Sequence, residues 1–320
     1  LATVGVVIST LIVGLASGKV FGLPILTALL LGAVIASTDP AALIPVFKQV
    51  TIKDKIKQTV VSESAFNDAV GAILVSTLLA VVTSGEFSAI ESIKELVIST
   101  VVGIGTGIIV GYILTALVSD KRVGIFHSYA PIMSVLKVAL AYEIATMLHG
   151  SGYMAVFIAG LISGNKKLFG LWIPDVDFHS DHCFSENIGS LARMAIFVVL
   201  GTQVNLEALA KYWAPSLLIV FVLMFIARPV VVLIATIFDK NAKWSFREKL
   251  FMMWVRETGV IPAALCGIVT SMNIPGKEVI SSVVFMTILI TLIIQGSSTK
   301  FVAKKLGLLI EDKPTEENKG

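Results

Sequence analysis

The sequence predicts an all-α integral membrane protein, a helical bundle of about ten transmembrane helices built as inverted repeats, with two broken helices that cross near the membrane midplane. Three observations support this prediction. Of the 320 residues, 56% are hydrophobic and only 15% are charged, where a soluble domain carries about 25% charged residues. About ten apolar runs approach the roughly 20 residues that a helix needs to cross a bilayer. Two of these runs carry a proline beside polar residues in the middle of the span.

The apolar runs are continuous rather than alternating, which indicates helices and not barrel strands. The predicted spans are 1–16, 24–47, 58–82, 93–118, 129–148, 153–163, 187–204, 214–238, 250–271 and 278–299. Residues 1–310 are therefore predicted to form one transmembrane domain, and the polar residues 311–320 a disordered tail. Because the chain begins inside an apolar run, we expect further elements upstream of it.

Basic residues divide the loops into two sets. Fifteen lysines and arginines follow the even-numbered spans, and only four lie in the alternate loops. By the positive-inside rule the first set is cytoplasmic, so we expect a multi-pass protein of the cell membrane with its C-terminus in the cytoplasm. The sequence has no basic stripe for nucleic acid, and its two cysteines, Cys183 and Cys266, exclude a disulfide framework and a four-cysteine zinc site.

Ionisable side chains within a span are costly in lipid, and they mark either a functional site or a structural charge pair. The spans contain Asp39, Glu63, Asp68, Lys137, Glu143, Arg193, Arg228, Arg256 and Glu257. For Lys137, Glu143, Arg193 and Arg228 the sequence leaves both interpretations open, since nothing else polar surrounds them.

Span two contains the sequence Ser-Thr-Asp-Pro at 37–40. Pro40 lacks an N–H and clashes with the carbonyl four residues earlier, so the span is predicted to unwind at Thr38 and Asp39 into two half-helices. Pro262 interrupts span nine in the same way. A kinked helix is the alternative for either proline alone, but interruptions in both halves of a chain are typical of a transporter with its ion site where the breaks meet.

Span three carries the sequence Glu-Ser-Ala-Phe-Asn-Asp at 63–68. Residues four apart share a helix face, so Ser64 is expected to lie over Asp68, and Glu63 over Asn67. A carboxylate, a hydroxyl and nearby carbonyls are the hard oxygen ligands that a small alkali cation prefers. A buried Asp68 can also hold a proton, so the pattern predicts a site where a cation and a proton compete.

The order of these motifs resembles the sodium/proton antiporters of the NhaP-like branch of the monovalent cation:proton antiporter family. The resemblance begins with 37–47 and 63–68 and continues through essentially every span. The further matching stretches are 151–156, 191–193, 198–201, 227–229 and 259–265.

The resemblance implies a homodimeric secondary transporter, not an enzyme, that exchanges Na⁺ or Li⁺ for H⁺ in the lipid bilayer by alternating access and needs no cofactor. It also implies about thirteen helices, of which roughly the first three would be missing from this chain. The residue matching Asp68 would alternate between proton and cation, with Ser64 and the Thr38 carbonyl as Na⁺ ligands. Asp39 and Asn67 would help to shape the point at which the broken helices cross. The Asn67-Asp68 pair resembles the electroneutral branch of the family.

The resemblance further implies an ion pair between Glu63 and an arginine on the second broken helix. Many relatives place that arginine directly before the glycine matching Gly259, but Thr258 stands there in this chain. Arg256 is two residues earlier, about 200° around a regular helix, and local unwinding would be needed for it to reach Glu63. We predict the pair Glu63 and Arg256. Glu257 is an alternative partner for the arginine, and Arg228 and Arg193 are reserves for the glutamate.

Other functions remain open at this point. A cation-coupled symporter or a cation channel would also need a midplane oxygen site and broken helices. An intramembrane hydrolase could use Asp39 and Asp68 as an acid/base pair, although no gate for water and substrate is evident. The segment 175–183 is predicted to be a solvated amphipathic loop, with metal binding or pH sensing as the alternative.

Overall fold

The computed structural model describes residues 1–39, 52–84, 89–119, 125–171, 175–239, 241–272 and 274–309. The described residues are overwhelmingly helical. We number the α-helices in chain order: α1 Ala2–Phe21, α2 Ile25–Val34, α3 Asp54–Ser84, α4 Ala89–Ser119, α5 Ala130–Met147, α6 Gly152–Gly164, α7 Asp175–Gln203, α8 Leu206–Val222, α9 Arg228–Phe238, α10 Phe246–Trp254, α11 Val260–Ser271, α12 Lys277–Ile290 and α13 Ser297–Lys305. Two π-helical segments, Leu223–Ala227 and Thr291–Gly296, join α8 to α9 and α12 to α13.

The predicted fold class is confirmed. Within the described residues, seven continuous helices are long and apolar enough to cross a membrane, and three shorter apolar helices, α2, α6 and α11, accompany them. Every predicted span overlaps at least one of these helices. The prediction of a loop at 175–183 is wrong, because this segment forms the first turns of α7. The predicted tail 311–320 lies outside the described residues.

Contacts within the chain define two compact units. The first comprises Leu1–Gly71 and Leu200–Gly320, and the second comprises Ala72–Val199. In the first unit, α1 and α2 pack with little space between their backbones. A β-carbon on Gly32 would lie 2.5 Å from the carbonyl oxygen of Thr10, so only glycine permits this approach.

In the second unit, glycines permit a similarly close approach between α4 and α6. Three glycines spaced four residues apart, Gly103, Gly107 and Gly111, form one ridge of α4. A β-carbon on any of them would come within 2.6 Å of α6 or its N-cap residue Ser151. Such small-residue ridges hold membrane helices together through close van der Waals contact, because lipid offers no hydrophobic drive for helix association.

The second broken helix has the predicted interruption. Helix α10 ends at Trp254, the segment 255–259 is not helical, and α11 begins at Val260. Pro262 therefore lies in the first turn of α11, where its missing N–H would have had no intrahelical acceptor. Of the first broken helix, the half-helix α2 and the extended residues to Asp39 are described, whereas Pro40 and the second half-helix lie outside the described residues.

Candidate ion site at the crossing of two broken helices

The non-helical segments of the two breaks contact each other inside the first unit. The Asp39 backbone N–H donates to the carbonyl oxygen of Glu257 over 2.8 Å. The carboxylate Oδ2 of Asp39 accepts a hydrogen bond from the Val260 N–H over 3.0 Å. In the other direction, a terminal nitrogen of Arg256 donates to the carbonyl oxygens of Ile35 and Ala36, each over 2.8 Å.

These contacts place each charge at the end of a half-helix that favours it. Arg256 lies beyond the C-terminus of α2, where unpaired carbonyls carry partial negative charge, and Asp39 lies at the N-terminus of α11, where N–H groups carry partial positive charge. Gly259 permits this arrangement, since a β-carbon there would fall 2.0 Å from Asp39 Oδ2. The charged residue of each break therefore compensates the partial charge at the helix end that the other break exposes.

Asn67 and Ser64 of helix α3 form hydrogen bonds with Thr38 in the first break. The Asn67 side chain bonds Thr38 with both amide atoms, since its Nδ2 donates to Thr38 Oγ1 over 2.7 Å and its Oδ1 accepts from the Thr38 N–H over 3.2 Å. The Ser64 hydroxyl donates to the Thr38 carbonyl oxygen. Gly71, two turns along α3 from Ser64, leaves room for the Ser37 hydroxyl, which would lie 2.3 Å from a β-carbon at that position.

Asp68 follows Asn67 on α3, one turn after Ser64, and its side chain is half-buried. Its Oδ1 is enclosed and accepts no hydrogen bond from any described residue. Asp39 lies within electrostatic range of it, so two carboxylates share this part of the protein. Ser64 and Thr38 are thus in direct contact. Asp68 lies one helical turn after Ser64, and its Oδ1 has no hydrogen-bond partner among the described residues.

The predicted ion pair between Glu63 and Arg256 is wrong, and Arg228 takes its place. The Arg228 guanidinium binds the Glu63 carboxylate with two nitrogens: one contacts Oε1, and the other lies 3.1 Å from Oε2. The Arg228 Nε also donates to the Met252 carbonyl oxygen over 2.8 Å. Arg256 cannot serve Glu63 because its guanidinium is engaged with the carbonyls at the end of α2.

Sequence reasoning gave no ion-binding role to a second group of polar residues at the break before α11. Glu257 is 1% exposed, and among the described residues neither of its carboxylate oxygens has a hydrogen-bond partner. Around it, Thr291 Oγ1 accepts from the Thr258 N–H over 3.1 Å, and Gln295 Nε2 donates to the Trp254 carbonyl oxygen over 2.7 Å. A glutamine and threonines within the apolar run of α12 to α13 were the signal that could have identified this group.

A charged cluster ties the start of α3 to the start of α10. Glu248 accepts from Lys53 over 3.1 Å, from Lys55 over 3.2 Å and from the Ser245 N–H over 2.9 Å. Burial raises the pKa of Glu248, but the hydrogen bonds from Ser245, Lys53 and Lys55 outweigh it and lower the pKa from 4.5 to about 2. Glu248 is therefore ionised at neutral pH and anchors both lysines.

The second unit contains its own partly buried polar group, separate from the predicted site residues. Lys137 Nζ donates to Ser163 Oγ over 2.6 Å, and Ser134 Oγ donates to Asp181 Oδ1 over 2.6 Å. These residues line a cavity of about 630 Å³ together with Lys166. Among the described residues, no group of three or more histidine, cysteine, aspartate and glutamate side chains is placed to hold a metal ion.

Comparison with known proteins places this geometry in a family. The family model described as "Sodium/hydrogen exchanger, transmembrane" matches residues 1–305. The chain is 31% identical over 317 residues to the K(+)/H(+) antiporter NhaP of Alkalimonas amylolytica, covering 96% of this chain and 52% of that protein. It is 34% identical over 304 residues to Na(+)/H(+) antiporter 1 of Methanocaldococcus jannaschii, covering 87% of this chain and 68% of that protein.

A solved structure agrees with the sequence matches. The sodium proton antiporter MjNhaP1 from Methanocaldococcus jannaschii at pH 8 superimposes with a TM-score of 0.83 at 30% identity, over 95% of this chain and 77% of that one. The chain spans about half the length of the NhaP relative from Alkalimonas and of similar NhaP2 relatives. Because the family model covers nearly the whole chain, this protein belongs to the transmembrane sodium/hydrogen exchanger family.

Proposed function

We propose that this chain forms the ion-translocating part of a secondary active transporter that exchanges a monovalent cation for protons by alternating access. The observation that carries the proposal is the Asp68 carboxylate, which lies beside the crossing with an enclosed oxygen to which no described residue donates a hydrogen bond. Membership of the exchanger family supports it, as do the names of relatives that are K⁺/H⁺ and Na⁺/H⁺ antiporters.

The exchange would follow from competition at one carboxylate. A buried carboxylate cannot remain ionised without a compensating charge, so Asp68 would hold either a proton or a cation. Ser64 Oγ donates its proton to the Thr38 carbonyl and so keeps its own lone pairs available, and the carbonyl oxygen retains a second lone pair. We propose Asp68, Ser64 and the Thr38 carbonyl as the ligands of Na⁺ or Li⁺.

The other predicted residues would position this ligand set. Asn67 would hold Thr38 in its non-helical conformation through two hydrogen bonds, and Asp39 would fix the crossing through the Val260 N–H. Glu63 would act structurally, because its charge is compensated by Arg228. With a single carboxylate to carry ions, we propose electroneutral exchange of one cation for one proton.

The membrane arrangement is part of the proposal. We propose a homodimer in the cell membrane, with 1–310 as one transmembrane domain, 311–320 as a cytoplasmic tail and about three further helices upstream. A proton/cation exchanger of this kind needs no cofactor, because the chemistry is carried by side chains and backbone oxygens. The hydrolase alternative is not favoured, since Asp39 Oδ2 is committed to the Val260 N–H at the start of α11.

The test is ion flux through the full-length protein in proteoliposomes that contain a pH-sensitive dye. Antiport predicts that an imposed outward Na⁺ gradient acidifies the lumen, and that Li⁺ acts likewise. A symporter would move protons in the same direction as the cation, and a channel would carry cations without any linked proton movement. Either result would overturn the proposal, and a response to K⁺ but not to Na⁺ or Li⁺ would overturn the proposed cation.

A further inference from the structure

Glu257 is a buried charge that the proposed exchange at Asp68 leaves unused. It lies in the non-helical segment between α10 and α11, 1% exposed, with both carboxylate oxygens enclosed and without a donor among the described residues. Its carboxylate lies against the backbone of Gly296, where a β-carbon would come 3.3 Å from Oε1. The absence of a side chain at Gly296 therefore leaves space beside Glu257.

Gln295, the neighbour of Gly296, adds a third unpartnered oxygen. Its Nε2 donates to the Trp254 carbonyl, which fixes the orientation of the amide and leaves Oε1 as an acceptor. Gln295 is 1% exposed, and no described residue donates to its Oε1. The break before α11 and the π-helical segment Thr291–Gly296 thus carry three enclosed acceptor oxygens to which no described residue donates.

The neighbouring charges do not compensate Glu257. Arg256 adjoins it in sequence, but the guanidinium donates to Ile35, Ala36 and the Thr258 hydroxyl. Asp39 lies within electrostatic range of Glu257 and has the same sign. A buried carboxylate in such surroundings needs a positive partner, and the described residues supply none.

We propose that Glu257 and the Oε1 of Gln295 form a second binding site for a monovalent alkali cation, in the break before α11. A proton on one Glu257 oxygen would leave the other oxygen without a donor, whereas an alkali cation takes several oxygens as ligands at once, and oxygen ligands suit such an ion. The proposal rests on the proposed function, because only a protein that admits alkali cations to its interior can fill this site. Asp39 lies within electrostatic range of both Glu257 and Asp68.

The experiment is equilibrium binding of ²²Na⁺ to the purified full-length protein in detergent. Two independent sites predict that Asp68→Asn and Glu257→Gln each lower the bound ²²Na⁺ at saturation by about half, and that the double variant binds none. Glu278→Gln makes the same chemical change at an exposed glutamate of α12 and should bind like the wild type. Saturation binding by Glu257→Gln equal to that of the wild type would overturn the inference.

Two further variants keep the test valid if Glu257→Gln does not fold. Glu257→Asp retains the carboxylate and should still bind ²²Na⁺ at the second site, with weaker affinity. Gln295→Met removes one ligand from a side chain of similar volume and should weaken binding at that site about tenfold, with no change at the Asp68 site. Unchanged binding at both sites in Gln295→Met would exclude Gln295 as a ligand and overturn the proposed ligand set.

Failure of this inference is distinguishable from failure of the proposed function. If the wild-type protein exchanges cations for protons in proteoliposomes while Glu257→Gln binds ²²Na⁺ normally, only the second site is rejected. If the wild type shows no exchange, the proposed function is rejected whatever the binding data show.

Discussion

Two carboxylates on α3, only five residues apart, have opposite surroundings. Glu63 is buried and held by two nitrogens of Arg228, which is itself anchored to the carbonyl of Met252. Asp68 faces the crossing of the broken helices with an enclosed oxygen that no described residue contacts through a hydrogen bond. The comparison shows that burial alone does not identify the carboxylate that carries ions. A carboxylate with a permanent counter-charge is structural, and one whose counter-charge is missing can exchange ligands.

The largest expected effect comes from breaking the paired carboxylate. Glu63→Gln or Arg228→Gln alone should leave one buried charge uncompensated and destabilise the protein by roughly 3–5 kcal/mol, whereas the double variant should lose clearly less than the sum. Thermal unfolding in detergent measures these losses. Strictly additive losses would show that the two residues do not interact.

The matched comparison is Glu63→Gln with Arg256→Gln, the pair predicted from the sequence. Because Arg256 bonds backbone carbonyls and interacts with Glu63 only electrostatically, the coupling between these two variants should be clearly smaller than that between Glu63→Gln and Arg228→Gln. A strong coupling between Glu63 and Arg256 would contradict the arrangement described above.

A substitution at Gly259 should disturb the contact between the two broken helices. Gly259→Ala places a methyl group 2.0 Å from Asp39 Oδ2, so the carboxylate must leave the Val260 N–H at a cost of about 1–3 kcal/mol. We expect lower thermal stability and slower exchange. Gly105→Ala, where nothing lies within 4 Å of the new carbon, is the control and should lower neither the stability nor the exchange rate. Equal behaviour of the two variants would show that Asp39 does not depend on Gly259.

A smaller effect, dependent on pH, is expected at Glu248. Its pKa is lowered on folding, so its contribution to stability is fully present above 4.5, the ordinary value, and is lost as the pH falls toward 2. Glu248→Gln should therefore cost on the order of 2 kcal/mol at pH 7 and progressively less between pH 4.5 and pH 3. Melting temperatures of both proteins across this range test the prediction, and a difference that grew on acidification would contradict it.

The smallest expected effect is that of the membrane potential. If Asp68 alone carries ions, one cation moves for each proton, and clamping the potential of proteoliposomes should leave the exchange rate unchanged. A steady dependence on potential would require a second transported charge, for which Glu257 and Asp39 are the candidates nearest the crossing.

Much of this architecture was predictable from the sequence because the responsible patterns are local. Apolar run lengths placed the helices, Pro262 placed the second break to within a few residues, and the i, i+4 relation placed Ser64 next to the Asp68 turn. The partner of Glu63 was not predictable, because Arg228 is 165 residues away and only the packing of α9 against α10 decides between it and Arg256. Glu257 and Gln295 differ from ordinary buried polar residues in having oxygens to which no described residue donates, and no sequence pattern records such a difference.

The most direct test of the central claim is the Asp68→Asn variant in the proteoliposome assay. The substitution conserves size and removes the ionisable group. We expect this protein to elute and melt like the wild type but to show no Na⁺-driven proton flux, whereas Glu278→Gln should exchange at the wild-type rate. Substantial Na⁺-driven proton flux through well-folded Asp68→Asn protein would contradict the account, because an unpartnered carboxylate at this position would then not be the carrier.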